Sequence, residues 1–292
     1  MKTILVPTDF SKLSKVAVSY AIGFAKKIDA RIILLSVINA SSSSKTLMNW
    51  KKLEREMVKT AQQDADQLID EVKADAGDID ISFCSTLGFP IEEMIDQFAV
   101  RNKVDLIVMG SKGATGLKKA FMGSNAAAVI DTCSVPVIVV PGDAKFKQIK
   151  KLVYATDMQN VQKELKTLTK FTNIFDAHVH VLHVIAGDLP KDKVKELKRD
   201  WPQISLEEEL IKTAKNPKIH LHILKNESIA EAVDTFVNDK KADLLAMFTH
   251  RLDFYEKLFG KSVTRQLAFH NNVPLLTFNK TNMPRKRVSL IL

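Results

Sequence analysis

A chain of 292 residues is long for one hydrophobic core, and two domains of about 140 residues is the natural expectation. With 46% hydrophobic and 26% charged residues it has an ordinary globular composition, and no apolar run reaches the ~18–20 residues that a membrane-crossing helix needs. The net charge of +9 is spread over lysine-rich helix faces such as Lys163–Lys170 and Lys191–Arg199, and the compact cluster Lys280, Arg285, Lys286 and Arg287 has no aromatic stacking platform, which argues against specific nucleic-acid binding.

Taken in chain order, Ile4-Leu5-Val6 reads as a short buried strand broken by Pro7 and Asp9, with no signal-peptide layout around it. Ser11 is placed to cap a helix whose apolar stripe is Leu13, Val16, Ala17, Tyr20, Ala21 and Phe24. Arg31 to Ile38 is apolar enough to be a parallel strand buried on both faces. A serine-rich loop, Ala40 to Lys45, leads to a long amphipathic helix with Leu53, Met57, Ala61, Ala65, Leu68 and Val72 on one side. Ile79 to Cys84 alternates as a third strand, and Pro90 starts a helix lined by Ile91, Met94, Ile95, Phe98 and Ala99. Asp105 to Met109 and Val135 to Pro141 read as strands four and five, and Gly142 to Lys150 as a short polar linker. Strands alternating with helices predict an α/β, doubly wound parallel sheet.

The pattern then repeats. Lys151 to Asp157 echoes Lys2 to Asp9, and from Pro90 to Val140 the two halves superpose without a gap at a shift of 138 positions. A constant shift over some fifty residues marks a tandem repeat of one domain. The boundaries expected are 1–143, 148–279 and a tail, 280–292, basic and then apolar, that is disordered or loosely docked, with docking on a partner as the alternative.

The chemistry-bearing stretch is Met109-Gly110-Ser111-Lys112-Gly113, followed by Gly123-Ser124-Asn125. Glycine after a buried strand lets backbone approach a ligand, and a helix starting at Ser124 offers N–H groups and a partial positive charge suited to phosphate. The spacing G-x2-G-x9-G-[ST] is neither the common phosphate loop nor the dinucleotide fingerprint. Glycines that merely shape a strand-to-helix turn are the alternative. With Pro7-Thr8-Asp9 at the end of strand one, the pattern resembles the ATP-binding branch of the universal stress protein family, over nearly all of residues 1–279 and more weakly in the second half.

That resemblance implies two tandem five-stranded sheets of the Rossmann-like, adenine nucleotide alpha hydrolase-like kind, with helices on both faces. It implies adenine contacts from Asp9 and the backbone near Val37, and a ribose region lined by Pro7, Thr8, Met109 and Gly110. Phosphates would be held by Gly113, Gly123, Ser124 and Asn125, with Lys112 as a nearby charge. ATP is then the expected cofactor, with Mg²⁺ carried on the triphosphate rather than in a protein cage. The resemblance further implies an intramolecular pseudo-dimer, with Val137–Val140 paired to Leu275–Phe278. A homodimer of chains and an unknown protein partner stay open. The function expected is a cytoplasmic, nucleotide-dependent stress-response regulator. No catalytic residue is assigned, so any ATP hydrolysis is expected to be slow, and a ligand-free scaffold and an adenylyl-transferring relative are the competing readings. In the second half Gly110, Gly113 and Gly123 become Phe248, Arg251 and Lys261, so that copy of the site is expected to be degenerate.

Two further features belong here. Cys84 and Cys133 lie in apolar stretches without metal spacing and read as free thiols. Histidines 178, 180, 183, 220 and 222 alternate along two predicted strands, most simply as a polar strand face; they would meet a metal only if those strands were neighbours.

Overall fold

The structure is a computed structural model that describes residues 1–39, 47–111, 123–186, 203–249 and 273–279. The chain divides into two compact units, residues 1–147 with 270–277, and residues 148–269 with 278–292.

In the first unit β1 (Thr3–Pro7) leads to α1 (Lys12–Ile28), β2 (Arg31–Ile38), α2 (Leu47–Ala76) and β3 (Ile81–Leu87). Then follow α3 (Ile91–Arg101), β4 (Leu106–Gly110), α4 (Ser124–Thr132) and β5 (Val137–Val140). The strand order is β3-β2-β1-β4-β5, all parallel. Residues 275–277 of β10 (Leu275–Asn279) pair antiparallel with β5, in the register Leu275 to Val139 and Thr277 to Val137, and so cover what would be an open apolar edge. Ile4, Leu5, Ile32, Leu34 and Leu106 are wholly buried, as strands with helices packed against the sheet require.

Local signals explain the helix ends. Ser11 caps α1 by accepting from the Ser14 N–H at 3.3 Å, and Asp29 closes it in the left-handed conformation behind Lys26 and Lys27. Along α2, Ala61, Ala65, Leu68 and Val72 are buried, while Leu53, on the expected stripe, is 38% exposed. The helix outruns the sheet it packs on. Pro90 is the N-cap of α3, one position earlier than a first-turn proline, and β3 begins two residues later than its alternation suggests.

The supposed polar linker is partly structural. Phe146 lies edge-on to Tyr20 (5.4 Å) and Phe24 (6.0 Å), over Gly23, where a Cβ would stand 2.6 Å from its ring. A glycine in mid-helix costs about 1 kcal/mol relative to alanine, and here it makes room for that ring.

The second unit repeats the design with β6 (Lys151–Ala155), α5 (Val161–Phe175), β7 (His178–Ala186), α6 (Gln203–Ala214), β8 (Ile219–Asn226), α7 (Ile229–Lys240) and β9 (Leu244–Thr249). Its described strands run β9-β6-β7-β8, again all parallel. β7 and β8, which carry the alternating histidines, are direct neighbours.

Candidate functional site

In the first unit β1 leads through α1 and α2 to β2 and β3 on one side, and α3 then carries the chain back to β4 on the other. The strand order therefore reverses between β1 and β4. In open α/β sheets such a switch point leaves a crevice beyond the carboxyl ends of the strands. Pro7, Val37, Met109 and Gly110 stand at or next to those ends.

The turn after β1 is tied down by its own side chains. The Thr8 N–H donates to the Leu35 carbonyl (2.9 Å), which joins the end of β1 to β2. Its hydroxyl accepts from the Phe10 N–H (3.0 Å) and donates to Ser14 Oγ (3.1 Å). The exposed Asp9 accepts from the Ser11 N–H (3.1 Å). These short loops of the Asx and Ser/Thr kind hold Phe10 at φ +59, a region that non-glycine residues seldom enter. Ser14 and the Leu35 carbonyl were not singled out in the sequence, although Thr-Asp-x-Ser is a recognisable turn signal.

On the other side of the crevice, Gly110 is in register with Val140. Ser111 donates its N–H to the Val140 carbonyl (2.9 Å) and accepts the Gly123 N–H on its own carbonyl (2.7 Å). The chain thus leaves at residue 111 and returns at residue 123 through a closed neck. Lys112 and Gly113 lie outside the described residues. Gly123 is the N-cap of α4, and Ser124 and Asn125, both exposed, form its first turn. The leading N–H groups of a helix have no partner within it and point where an anion would sit.

Backbone angles bear on why glycine stands here. Among the described residues the glycines with positive φ are Gly77 and Gly88, not Gly110 or Gly123. Gly123 has φ −65 and ψ 151, an extended N-cap conformation open to any residue. Serine, aspartate or asparagine would cap α4 there with a side chain, and glycine provides no such bond. A turn alone does not call for glycine at this position. What a missing Cβ leaves at such a position is room for another group to approach the backbone closely.

The second unit keeps the turn but changes the opposite wall. Thr156 bonds the Leu182 carbonyl (3.0 Å) and the Met158 N–H (3.0 Å), while Asp157 accepts from Gln159 (2.9 Å), as Thr8 and Asp9 do. Phe248, in the place of Gly110, is buried edge-on to Tyr154 (5.8 Å) and flat on Phe278 (4.6 Å). Tyr154 donates to Glu164, itself buried, and burial beside that carboxylate pushes the phenol well above its ordinary range. Arg251 and Lys261 lie outside the described residues.

Neither thiol belongs to the crevice. Cys133 is buried at the end of α4, where burial, Asp96 and Glu92 push it up to about 12, so it is inert at neutral pH; Cys84 is half-buried and free.

The family model described as the universal stress protein family matches twice, over residues 1–141 and 148–279. A universal stress protein of Methanocaldococcus jannaschii, MJ0531, is 34% identical over 141 residues, covering 48% of this chain and 81% of that protein. The Synechocystis protein Slr1230 is 24% identical over 300 residues, covering 95% of this chain and 100% of its own. Among solved structures, a universal stress protein from Archaeoglobus fulgidus has the same fold, with TM-score 0.66 at 19% identity, covering 95% of this chain and 96% of that one.

Proposed function

The chain belongs to the universal stress protein family as a tandem, two-domain member, and from that premise we propose that its first unit binds ATP and works as a nucleotide-dependent regulator. The observation that carries this is Gly123, a helix N-cap beside the switch-point crevice whose dihedrals do not need glycine. In this reading Asp9 and the backbone near Val37 meet the adenine, and Pro7, Thr8, Met109 and Gly110 line the ribose. Gly113, Ser124 and Asn125 donate to the phosphates, with Lys112 beside them; the Gly123 N–H is held by the Ser111 carbonyl, so Gly123 contributes the close approach that its missing side chain allows. Mg²⁺ arrives on the triphosphate.

We assign binding, not turnover, to this site. Backbone N–H groups grip phosphate without contributing a proton-transfer group, so occupancy, rather than product formation, is the signal. The second unit supports this division of labour. Its Thr156-Asp157 turn persists, but Phe248 buries its ring among Tyr154 and Phe278 at the position where the first unit has Gly110. That unit acts as a structural or partner-binding copy.

Equilibrium dialysis of labelled ATP with Mg²⁺ against the purified full chain tests the binding. One nucleotide per chain is expected, and no retention at cellular ATP concentrations contradicts the reading. Affinity capture of partners with and without ATP tests the regulator role: capture that changes with nucleotide supports it, and identical capture favours a scaffold.

A further inference from the structure

The two edges of the first unit's sheet are treated differently. β5 is covered by the antiparallel strand β10, whereas β3 stands at the other end of the order, and among the described residues nothing pairs with its outer side. β3 is matched one to one with β2 from Ile81 to Leu87, so no bulge bends it away. Its sequence, Ile-Ser-Phe-Cys-Ser-Thr-Leu, has no charge and no proline, the devices that ordinarily keep an edge strand from pairing. β8, at the end of the second unit's order, does carry such polarity, with Lys225 exposed and His220 and His222 half-buried.

Two bonds fix which backbone groups of β3 face outward. The Ile32 N–H donates to the Asp80 carbonyl (2.8 Å), and the Gly88 N–H donates to the Ile38 carbonyl (3.1 Å). Bonding in a parallel pair alternates along each strand, so the even-numbered residues of β3 spend their N–H and C=O groups on β2. Ile81, Phe83, Ser85 and Leu87 therefore turn theirs to the open edge.

The strand also complements itself. Laid antiparallel beside a second copy, with a twofold axis through Cys84, it sets Ile81 opposite the partner's Leu87 and Phe83 opposite the partner's Ser85. These are the outward residues, so each such pair exchanges two backbone hydrogen bonds. On the other face Ser82 meets the partner's Thr86, a hydroxyl pair suited to a cross-strand hydrogen bond, and Cys84 meets the partner's Cys84. Phe89, 64% exposed just beyond the strand, comes level with the partner's Ile79 and prolongs the apolar row. An axis at Phe83 or Ser85 keeps the bonding parity but leaves the strand ends unmatched.

We propose that two copies of this chain associate through β3, edge to edge and antiparallel, as a twofold dimer. The occupant is a second copy because the strand matches itself both in hydrogen-bonding parity and in side-chain pairing, with no like charges opposed. One strand edge is a small contact, so the association is reversible and concentration-dependent. It stands independently of the nucleotide reading.

Cys84 makes the register testable. Residues opposite one another in a non-hydrogen-bonded antiparallel pair have Cα atoms about 4.5 Å apart, within the ~4.4–6.8 Å that a disulfide spans. Cys84 is free and half-buried, while Cys133 is buried. Full-length protein is followed by sedimentation velocity over a concentration series, and is oxidised with diamide, which accepts the two thiol hydrogens with their electrons as the disulfide forms. Ser82→Cys and Thr86→Cys, each combined with Cys84→Ser, are oxidised alone and mixed. A concentration-dependent dimer, a cross-link mapped by mass spectrometry to Cys84 of both copies, and a mixture that cross-links at least tenfold faster than either variant alone support the proposal. A monomer at every concentration overturns it and leaves the edge to a different partner. A dimer that does not cross-link through Cys84, or variants that cross-link as fast alone as mixed, overturns it as well. The first two readings use the parent alone, so they decide even if a variant fails to fold.

Discussion

The Gly123 N–H donates to the Ser111 carbonyl at 2.7 Å, so the two ends of the loop after β4 are fastened together beside the crevice. This bond fixes α4 relative to β4 with backbone alone, and glycine leaves position 123 without a side chain. Gly123→Ser separates stability from binding. Serine adds an N-cap bond and lowers unfolded-chain entropy, so the nucleotide-free protein should gain about 0.5–1 kcal/mol and melt higher. ATP affinity should fall at least tenfold. Thermal melts with and without ATP read both quantities, and a variant that melts lower but binds normally would refute the close-approach role of this glycine.

Phe146 is expected to behave as part of the first unit's core, not as linker. Phe146→Ala should cost about 1–2 kcal/mol, since the ring is half-buried and its contacts with Tyr20 and Phe24 are lost. Urea unfolding measures this; an unchanged midpoint would return residues 142–150 to the status of a tether.

Tyr154 and Glu164 form a buried polar pair in the second unit. Tyr154→Phe keeps the ring but removes the donor, and leaves a buried carboxylate oxygen with one partner fewer. The expected loss is about 1–3 kcal/mol. The combined Tyr154→Phe/Glu164→Leu change should cost less than the sum of its parts, which a double-mutant cycle in urea detects.

Two half-buried histidines of β7 and β8, His180 and His222, make stability pH-dependent. His180 sits at about 4 in the fold and His222 is also lowered, against about 6.5 in an unfolded chain. The unfolded chain therefore binds more protons between these values, so stability is fully present above ~pH 6.5 and falls as pH drops toward 4. Lys240, His178 and His220 strengthen the effect and Glu207 weakens it at His222. Urea midpoints across pH 4–7.5 should decline on the acid side, and His180→Gln/His222→Gln should flatten the slope.

Much of this was legible in the sequence, for physical reasons that can be named. Continuous apolar runs such as Ile32–Leu35 reveal parallel strands because both faces are buried, and the 138-residue shift reveals the repeat because it keeps each core position in phase. Thr8 and Asp9 were visible as a strand end. The bonds that make that end a fixed turn, to Ser14 and the Leu35 carbonyl, depend on what the fold brings near. Leu53 misled because periodicity reports helix face, not where the sheet stops. Phe146 misled because one aromatic in a polar stretch carries no period. That His180 stands opposite His220 required knowing that β7 and β8 are adjacent.

The central claim is one nucleotide site per chain, built on the glycines of the first unit. Calorimetric titration of ATP with Mg²⁺ into the full chain, beside a Gly113→Arg/Gly123→Lys variant that copies the second half, addresses it directly. The account predicts a single site in the parent and none in a folded variant. No heat and no bound nucleotide in the parent, or undiminished binding in the variant, would contradict it.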